Sequence, residues 1–417
     1  MQNSNKGAFR LATAIAATLA ASTAGAVDFL SGDWKFSVDG NINVHYIYSS
    51  CEKNVQAVDG GLACGATSSG SSVSNVGNGL LPAALTFGIS TTQNGYDIAA
   101  HFGLYPGIST NDGGSPNVQQ GAPLGSNVGL GTTGLDVRQV YMTFGNKDIG
   151  TFTLGRNFGL FGFDAIINDM TLPGVGVAGS ASGASPSNTT LGSIGLGYIY
   201  VDTLAQMDYT TPDFSGFNLT VGIFDPLNPI ADPNSAPKKA PGLHAKATYT
   251  LKMADDMKFY ASITGITQKQ NTVVGVVPVQ YTSKGGDIFA KFSVAGFEVD
   301  ASYYYGKGMG TTGLFFNAAD AQGNARKSDG YLIQGTYTVG AVKFGVNYGV
   351  SKLDLADDNG TDDPALVKEN SKVTGGVYYS LTKNLTILGE ISGVKAQAHN
   401  GNENKSTNGN IGAFMSF

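Results

Sequence analysis

Residues 34–48, WKFSVDGNINVHYIY, alternate in character. Trp34, Phe36, Val38, Ile42, Val44, Tyr46 and Tyr48 share one parity, and Lys35, Ser37, Asp39, Asn41, Asn43 and His45 share the other. Side chains of a strand point to opposite faces with a period of two, so this segment reads as one long strand with an apolar and a polar face. Strands of soluble sheets are usually about 5–6 residues long. Segments with the same rule follow at 83–90, 96–105, 136–144, 150–155, 199–209, 217–224, 243–252, 258–265, 287–294, 297–305, 331–339, 342–350, 373–381, 385–393 and 409–417, which makes sixteen.

The connections between these segments fall into two alternating classes. Short turns such as TTQNG, GNKDI, MADDM, VAG, VGA and LTKN alternate with long polar loops at 49–82, 106–135, 156–198, 225–242, 266–286, 306–330, 351–372 and 394–408. Ten-residue strands in even number, with long loops on one rim and short turns on the other, are the layout of an outer-membrane barrel whose long loops face out of the cell. In a bilayer only a closed barrel lets strands pair all their backbone groups, so the pattern implies closure. The expected fold is an all-β, sixteen-stranded antiparallel transmembrane β-barrel. Its apolar parity faces lipid and its polar parity faces the lumen.

Composition agrees with this reading. Glycine supplies 59 of 417 residues, about twice the usual share of roughly 7%, and only 13% of residues are charged. Residues 1–26 read as a secretory signal: Lys6 and Arg10 form a basic start, 11–19 an apolar stretch, and Ala24-Gly25-Ala26 a cleavage site. Residues 27–417 are then the barrel domain. Losing the signal removes two of the 25 basic residues and none of the 31 acidic ones, leaving a formal charge of −8. That balance argues against a nucleic-acid partner. No later run of 18 apolar residues suggests a membrane helix.

The two cysteines, Cys51 and Cys64, lie in a Gly/Ser/Asn-rich stretch. In an exported protein they read as a disulfide pinning a surface loop; a metal site would need further ligands nearby. His45, His101 and His244 fall on polar parity of three distant strands and read as solvated lumen residues. No metal or cofactor is expected.

Three motifs resemble the general porins of Gram-negative bacteria. The hairpin VRQVYMTFGNKDIGTFTLGRNFG, residues 137–159, is similar to a porin hairpin that ends in Gly-Arg-Asn-aromatic-Gly. YTTPDFSGF, 209–217, looks like a porin turn, and the last strand ends in Phe417. The resemblance implies a trimeric barrel in outer-membrane lipid and lipopolysaccharide, with Phe417 as its membrane-insertion signal. It also implies that the third long loop, about 157–196, folds inward and constricts the pore.

Within that loop FDAIINDMTLPGVG resembles the enterobacterial constriction segment. On the match Asp164 opens a helical turn, Asp169 faces the pore and Pro173 ends the helix. Gly174 departs from the family, which carries Glu there. Asp169 reads equally as a loop cap. Arg156 matches a basic wall residue, although its parity with Phe152 and Leu154 points it outward and only its place at the strand end favours the lumen. Arg138 reads as a partner for a neighbouring loop or subunit. Asp202 stands where related porins often carry Arg, which weakens the transverse field and, with the net charge, implies mild cation preference.

The function expected is passive diffusion of ions and small hydrophilic solutes. The alternative is a channel selective for particular small polar solutes, marked by an aromatic ladder of Phe163, Tyr141, Phe224, Tyr260 and Phe289; these residues read equally as packing for the loop. No Ser, His and acid cluster supports an enzyme, with His399 in an Asn/Gly-rich loop. A non-conducting adhesin is the remaining class.

Overall fold

A computed structural model describes residues 27–64, 70–108, 135–178, 188–228, 238–274, 277–356 and 362–417. The segment read as a signal, 1–26, lies outside the described residues, as does part of the third loop. Among those described, eighteen strands form one sheet: β1 (Val27–Ser31), β2 (Trp34–Cys51), β3 (Ser72–Gly77), β4 (Ala84–Gln93), β5 (Tyr96–Pro106), β6 (Leu135–Asn146), β7 (Gly150–Phe158), β8 (Thr203–Thr210), β9 (Phe217–Phe224), β10 (Gly242–Ala254), β11 (Met257–Val274), β12 (Val277–Val294), β13 (Phe297–Lys307), β14 (Lys327–Val339), β15 (Val342–Leu353), β16 (Val367–Ser380), β17 (Leu385–Ala398) and β18 (Glu403–Ser416). Every pairing in the ladder is antiparallel, and β18 returns to β2 to close the ring. Sixteen strands make the wall. The extra two, β1 and β3, pair with the lower and upper parts of β2.

The seam shows how the sequence closes the barrel. The backbones of Gly40 and Phe417 bond reciprocally at 3.0 and 3.1 Å, and a Cβ on Gly40 would meet the Phe417 ring at 2.7 Å. Gly40 thus falls at an apolar-parity position because the terminal ring covers it.

The outward parity is apolar and exposed on every wall strand, as at Ile42, Phe102, Met142, Val221, Ile263, Val299, Ile333, Val346, Ile391 and Ile411. Such a surface suits lipid rather than water. The inward parity is polar, with exceptions that carry information. Ile47, Phe224, Ile266, Leu332, Leu388 and Val394 face inward and are buried, each in a cluster with residues of an inserted loop.

Three expectations need correction. The strand expected at 199–209 begins at Thr203, because Ile199 and Val201 are buried under the third loop. The loop expected at 266–286 is a continuation of β11 and β12, whose register runs from Met257↔Val294 to Val274↔Val277. The first long loop is not an outward loop alone: Leu62, Ala63 and Leu80 are buried in the main apolar cluster beside residues of the third loop.

Candidate functional site

The third long connection, loop 3, leaves β7 and crosses the lumen. It contains the helix α1 (Phe163–Asn168), entered through Gly162 at φ +77°, with Asp164 in its first turn. A carboxylate there complements the helix dipole, but here its partners are the wall. Asp164 accepts from Lys246 Nζ at 2.6 Å, Ser262 Oγ at 2.6 Å and Tyr260 Oη at 3.0 Å. Lys246 also sits 4.9 Å above the Phe163 ring. One residue earlier, Gly162 N–H donates to Asp287 Oδ2 at 3.0 Å. The start of the loop is therefore fastened to β10, β11 and β12.

The helix ends at Asn168, well before Pro173, because Asp169 leaves helical geometry at ψ 122°. Gln334 on β14 holds this corner: its Nε2 donates to Asn168 O and to Asp300 Oδ2, and its Oε1 accepts from Met170 N–H at 2.9 Å.

Asp169 does not face the pore. It is 3% exposed and accepts from Thr171 N–H and Oγ1, Ser193 N–H and Tyr198 Oη at 2.8–3.0 Å. A buried carboxylate needs such donors to offset its lost hydration. Burial and this carboxylate push the Tyr198 hydroxyl well above its ordinary value, so it remains a donor. Asp169 ties the outgoing limb of loop 3 to the returning one, the capping alternative of the sequence.

Gly174 has a direct explanation. Its Cβ would stand 2.2 Å from Glu390 Oε1. Glu390 projects inward from β17 and accepts from Val175 N–H and Gly176 N–H, both at 2.8 Å, from Tyr378 Oη at 2.7 Å and from Asn410 Nδ2 at 3.0 Å. The carboxylate expected on the loop is supplied by the wall instead. Lys372 Nζ donates to Gly192 O at 2.8 Å, holding the return limb to β16.

Arg156 pairs in register with Val140 and Ala205, both exposed on the outer face. The expectation of a lumen-facing Arg156 is thus corrected by unbroken strand register. Arg138 does face inward, because a register shift between Gly103 and Tyr105 breaks the alternation of β6 against β5. It pairs with Asp136, donates to Asn188 Oδ1 of loop 3 at 3.1 Å and covers the Tyr105 ring at 5.7 Å. Asp202 lies just outside β8 with φ +60°. It is 4% exposed and accepts from Thr203 N–H at 2.6 Å. Burial pushes its carboxyl up to about 6.

The aromatic ladder is packing. Tyr141, Phe224 and Phe289 are buried, and Tyr260 is spent on Asp164. Phe224 stacks on His244 at 3.8 Å. His45 and His244 are buried rather than solvated, while His101 is half-buried and stacks on Tyr141 at 4.7 Å. Among the described residues of loop 3, Leu160, Phe163, Ile167, Asn168 and Pro173 stay partly exposed, next to Phe158 at the end of β7. None of these partly exposed residues is charged. Cys51 and Cys64 form the expected disulfide.

Sequence reasoning missed Lys246, Gln334, Lys372 and Glu390. Each lies on the inward parity of a distant strand, where a long polar side chain looks like ordinary lumen lining. The only signal was their company, the inward apolar residues that mark where a loop docks.

A family model described as Gram-negative porin matches residues 12–399. No curated protein matches the chain by sequence. Among solved structures, the outer membrane channel DcaP of Acinetobacter baumannii superposes with a TM-score of 0.66 at 15% identity, covering 93% of this chain and 99% of that one. The anion-selective porin from Comamonas acidovorans gives 0.56 at 14% identity, with 92% and 100% covered. Salmonella typhi OmpF, in a complex with daunomycin, gives 0.55 at 12% identity, with 94% and 100% covered. The family match, the closed barrel and its lipid-suited outer face agree, and the chain belongs to the Gram-negative porin family, an outer-membrane channel for small solutes.

Proposed function

We propose that the channel passes ions and small hydrophilic solutes by passive diffusion with only mild cation preference, and that it is not an enzyme. The observation carrying this reading is that both acids of loop 3 are consumed by other groups, Asp164 by Lys246 and Asp169 by loop donors. A strong transverse field needs free carboxylates facing a basic wall. Here the partly exposed residues of the described part of the loop are uncharged, and the bias comes from the overall charge of −8 after signal removal.

Zero-current potentials in a salt gradient test this. The expected sign is cation-preferring, with a permeability ratio below about ten, equivalent to less than about 1.4 kcal/mol. Anion preference, or a ratio well above ten, contradicts it.

A selective channel for small polar solutes is the second reading, favoured by the two apolar clusters that loop residues build inside the barrel. Saturation of current by one solute supports it. The assembly we infer is a homotrimer in lipopolysaccharide-containing lipid, with Phe417 as its insertion signal. Arg156 supports a subunit contact, because its register places it beside Val140 and Ala205 on the outer face, where a charge suits a protein neighbour better than hydrocarbon.

A further inference from the structure

Loop 3 does not fill the lumen alone. Two arms of loop 1, the connection between β2 and β4, also lie inside the barrel mouth. In the first arm, residues 52–64, Leu62 N–H donates to Asn370 Oδ1 of β16 at 2.9 Å, and Asn370 Nδ2 returns a bond to Gly60 O at 3.1 Å. A Cβ on Gly61 would touch Ala396 on the inner face of β17 at 3.1 Å.

In the second arm, residues 78–83, Asn43 of β2 donates to Leu81 O at 3.0 Å and accepts from Gly79 N–H at 2.8 Å. This arm is bonded to loop 3 itself: Leu80 N–H donates to Gly174 O at 2.7 Å and Thr190 N–H to Gly79 O at 2.8 Å. Leu62, Ala63 and Leu80 share one apolar cluster with Ile166, Leu172, Val177 and Leu191 of loop 3. The Cys51–Cys64 disulfide joins the last residue of β2 to the end of the first arm, 13 positions on.

We propose that loop 1 is a second constriction element, wedged between loop 3 and the wall of β16, β17 and β2, and that the Cys51–Cys64 disulfide locks it in the narrow position. The proposal rests on the diffusion-channel reading. Without the disulfide the first arm loses its covalent tie at Cys64 and is held by hydrogen bonds alone, those of Gln56, Ala57 and Asp59 to residues 365–367 and 402–404 and those of Gly60 and Leu62 to Asn370. Loop-closure entropy for a loop of this length raises the undocked fraction about a hundredfold. The apolar contact of Leu62 and Ala63 with loop 3 then opens that much more often, and the passage beside it is wider while it is open.

The test uses wild-type channels already inserted in a planar bilayer, so that folding is not in question. A small dithiol added on the long-loop side gives two electrons and two protons to the disulfide; the S–S bond breaks into two thiols and the reductant closes to its own cyclic disulfide. Single-channel conductance is expected to rise, and larger sugars to enter in liposome swelling. The Cys51→Ser/Cys64→Ser double variant is expected to start at the higher conductance and to ignore the dithiol. Faster amide exchange at Leu62 reports release of the arm independently of current.

Unchanged conductance and solute cut-off in channels whose thiols are demonstrably free overturns the proposal. Absence of current in untreated wild type is a separate result, which overturns the diffusion-channel reading instead.

Discussion

Lys246→Met is expected to free the start of loop 3 while leaving the barrel intact. Asp164 and Lys246 are 3% and 9% exposed by side chain and 2.6 Å apart. Removing one member of a buried pair costs about 3–5 kcal/mol, because the other charge stays buried without compensation. Tyr260 and Ser262 still donate to Asp164, which places the effect toward the low end. Methionine keeps most of the stem volume against Phe163 but loses the ammonium above its ring. Amide hydrogen exchange across residues 163–170 is the measurement, since it reads local opening separately from global unfolding. Exchange there is expected to quicken by about two powers of ten or more, with wall amides on β14 to β17 unchanged. Equal exchange in variant and wild type contradicts the assignment of Lys246 as an anchor.

Glu390→Ala acts at the middle of the same loop and on more groups at once. It leaves Val175 N–H, Gly176 N–H, Tyr378 Oη and Asn410 Nδ2 without their shared acceptor. Each buried donor so stranded costs about 1–3 kcal/mol. Water can refill part of the gap, but two of the donors belong to the loop backbone, and moving the loop is the cheaper way to satisfy them. The expected outcome is a larger and noisier open-channel current. Gly174→Glu, which restores the residue expected from the family resemblance, is expected to do likewise, because its Cβ alone would overlap Glu390 Oε1 at 2.2 Å. Quiet current of wild-type size in both variants contradicts the anchor.

Much of the barrel was legible because it depends on a local rule. Period-two alternation needs no knowledge of partners, and it located the strands at 217–224, 297–305, 342–350 and 385–393 within a few residues of β9, β13, β15 and β17. The rule failed where an inserted loop replaced water as the neighbour. Ile199 and Val201 matched the strand pattern, yet their burial belongs to loop packing. At 266–286 polar flanks around the run VVGVVPV, without clear alternation, hid a ribbon pinned by its own cross-strand ladder.

The site was legible in part. That loop 3 folds inward was readable from the resemblance and from its broken rhythm. The direction of its acids was not, because Asp164 is fixed by Lys246 on a wall strand far away in sequence and Asp169 by the returning limb of the loop. Arg138 and Arg156 show the same limit at closer range: a register shift turns the first inward, and unbroken register keeps the second outward. Ile47, Leu332 and Val394, apolar on the lumen parity, were the marks by which inserted loops could have been foreseen.

Single-channel recording of the purified wild-type protein in a planar bilayer tests most directly whether this barrel encloses a water-filled passage narrowed by loops fastened to its inner wall. Stepwise insertion of ohmic channels is expected, with a conductance that rises with salt and increases in Glu390→Ala. Protein that inserts in folded form and carries no current would contradict it.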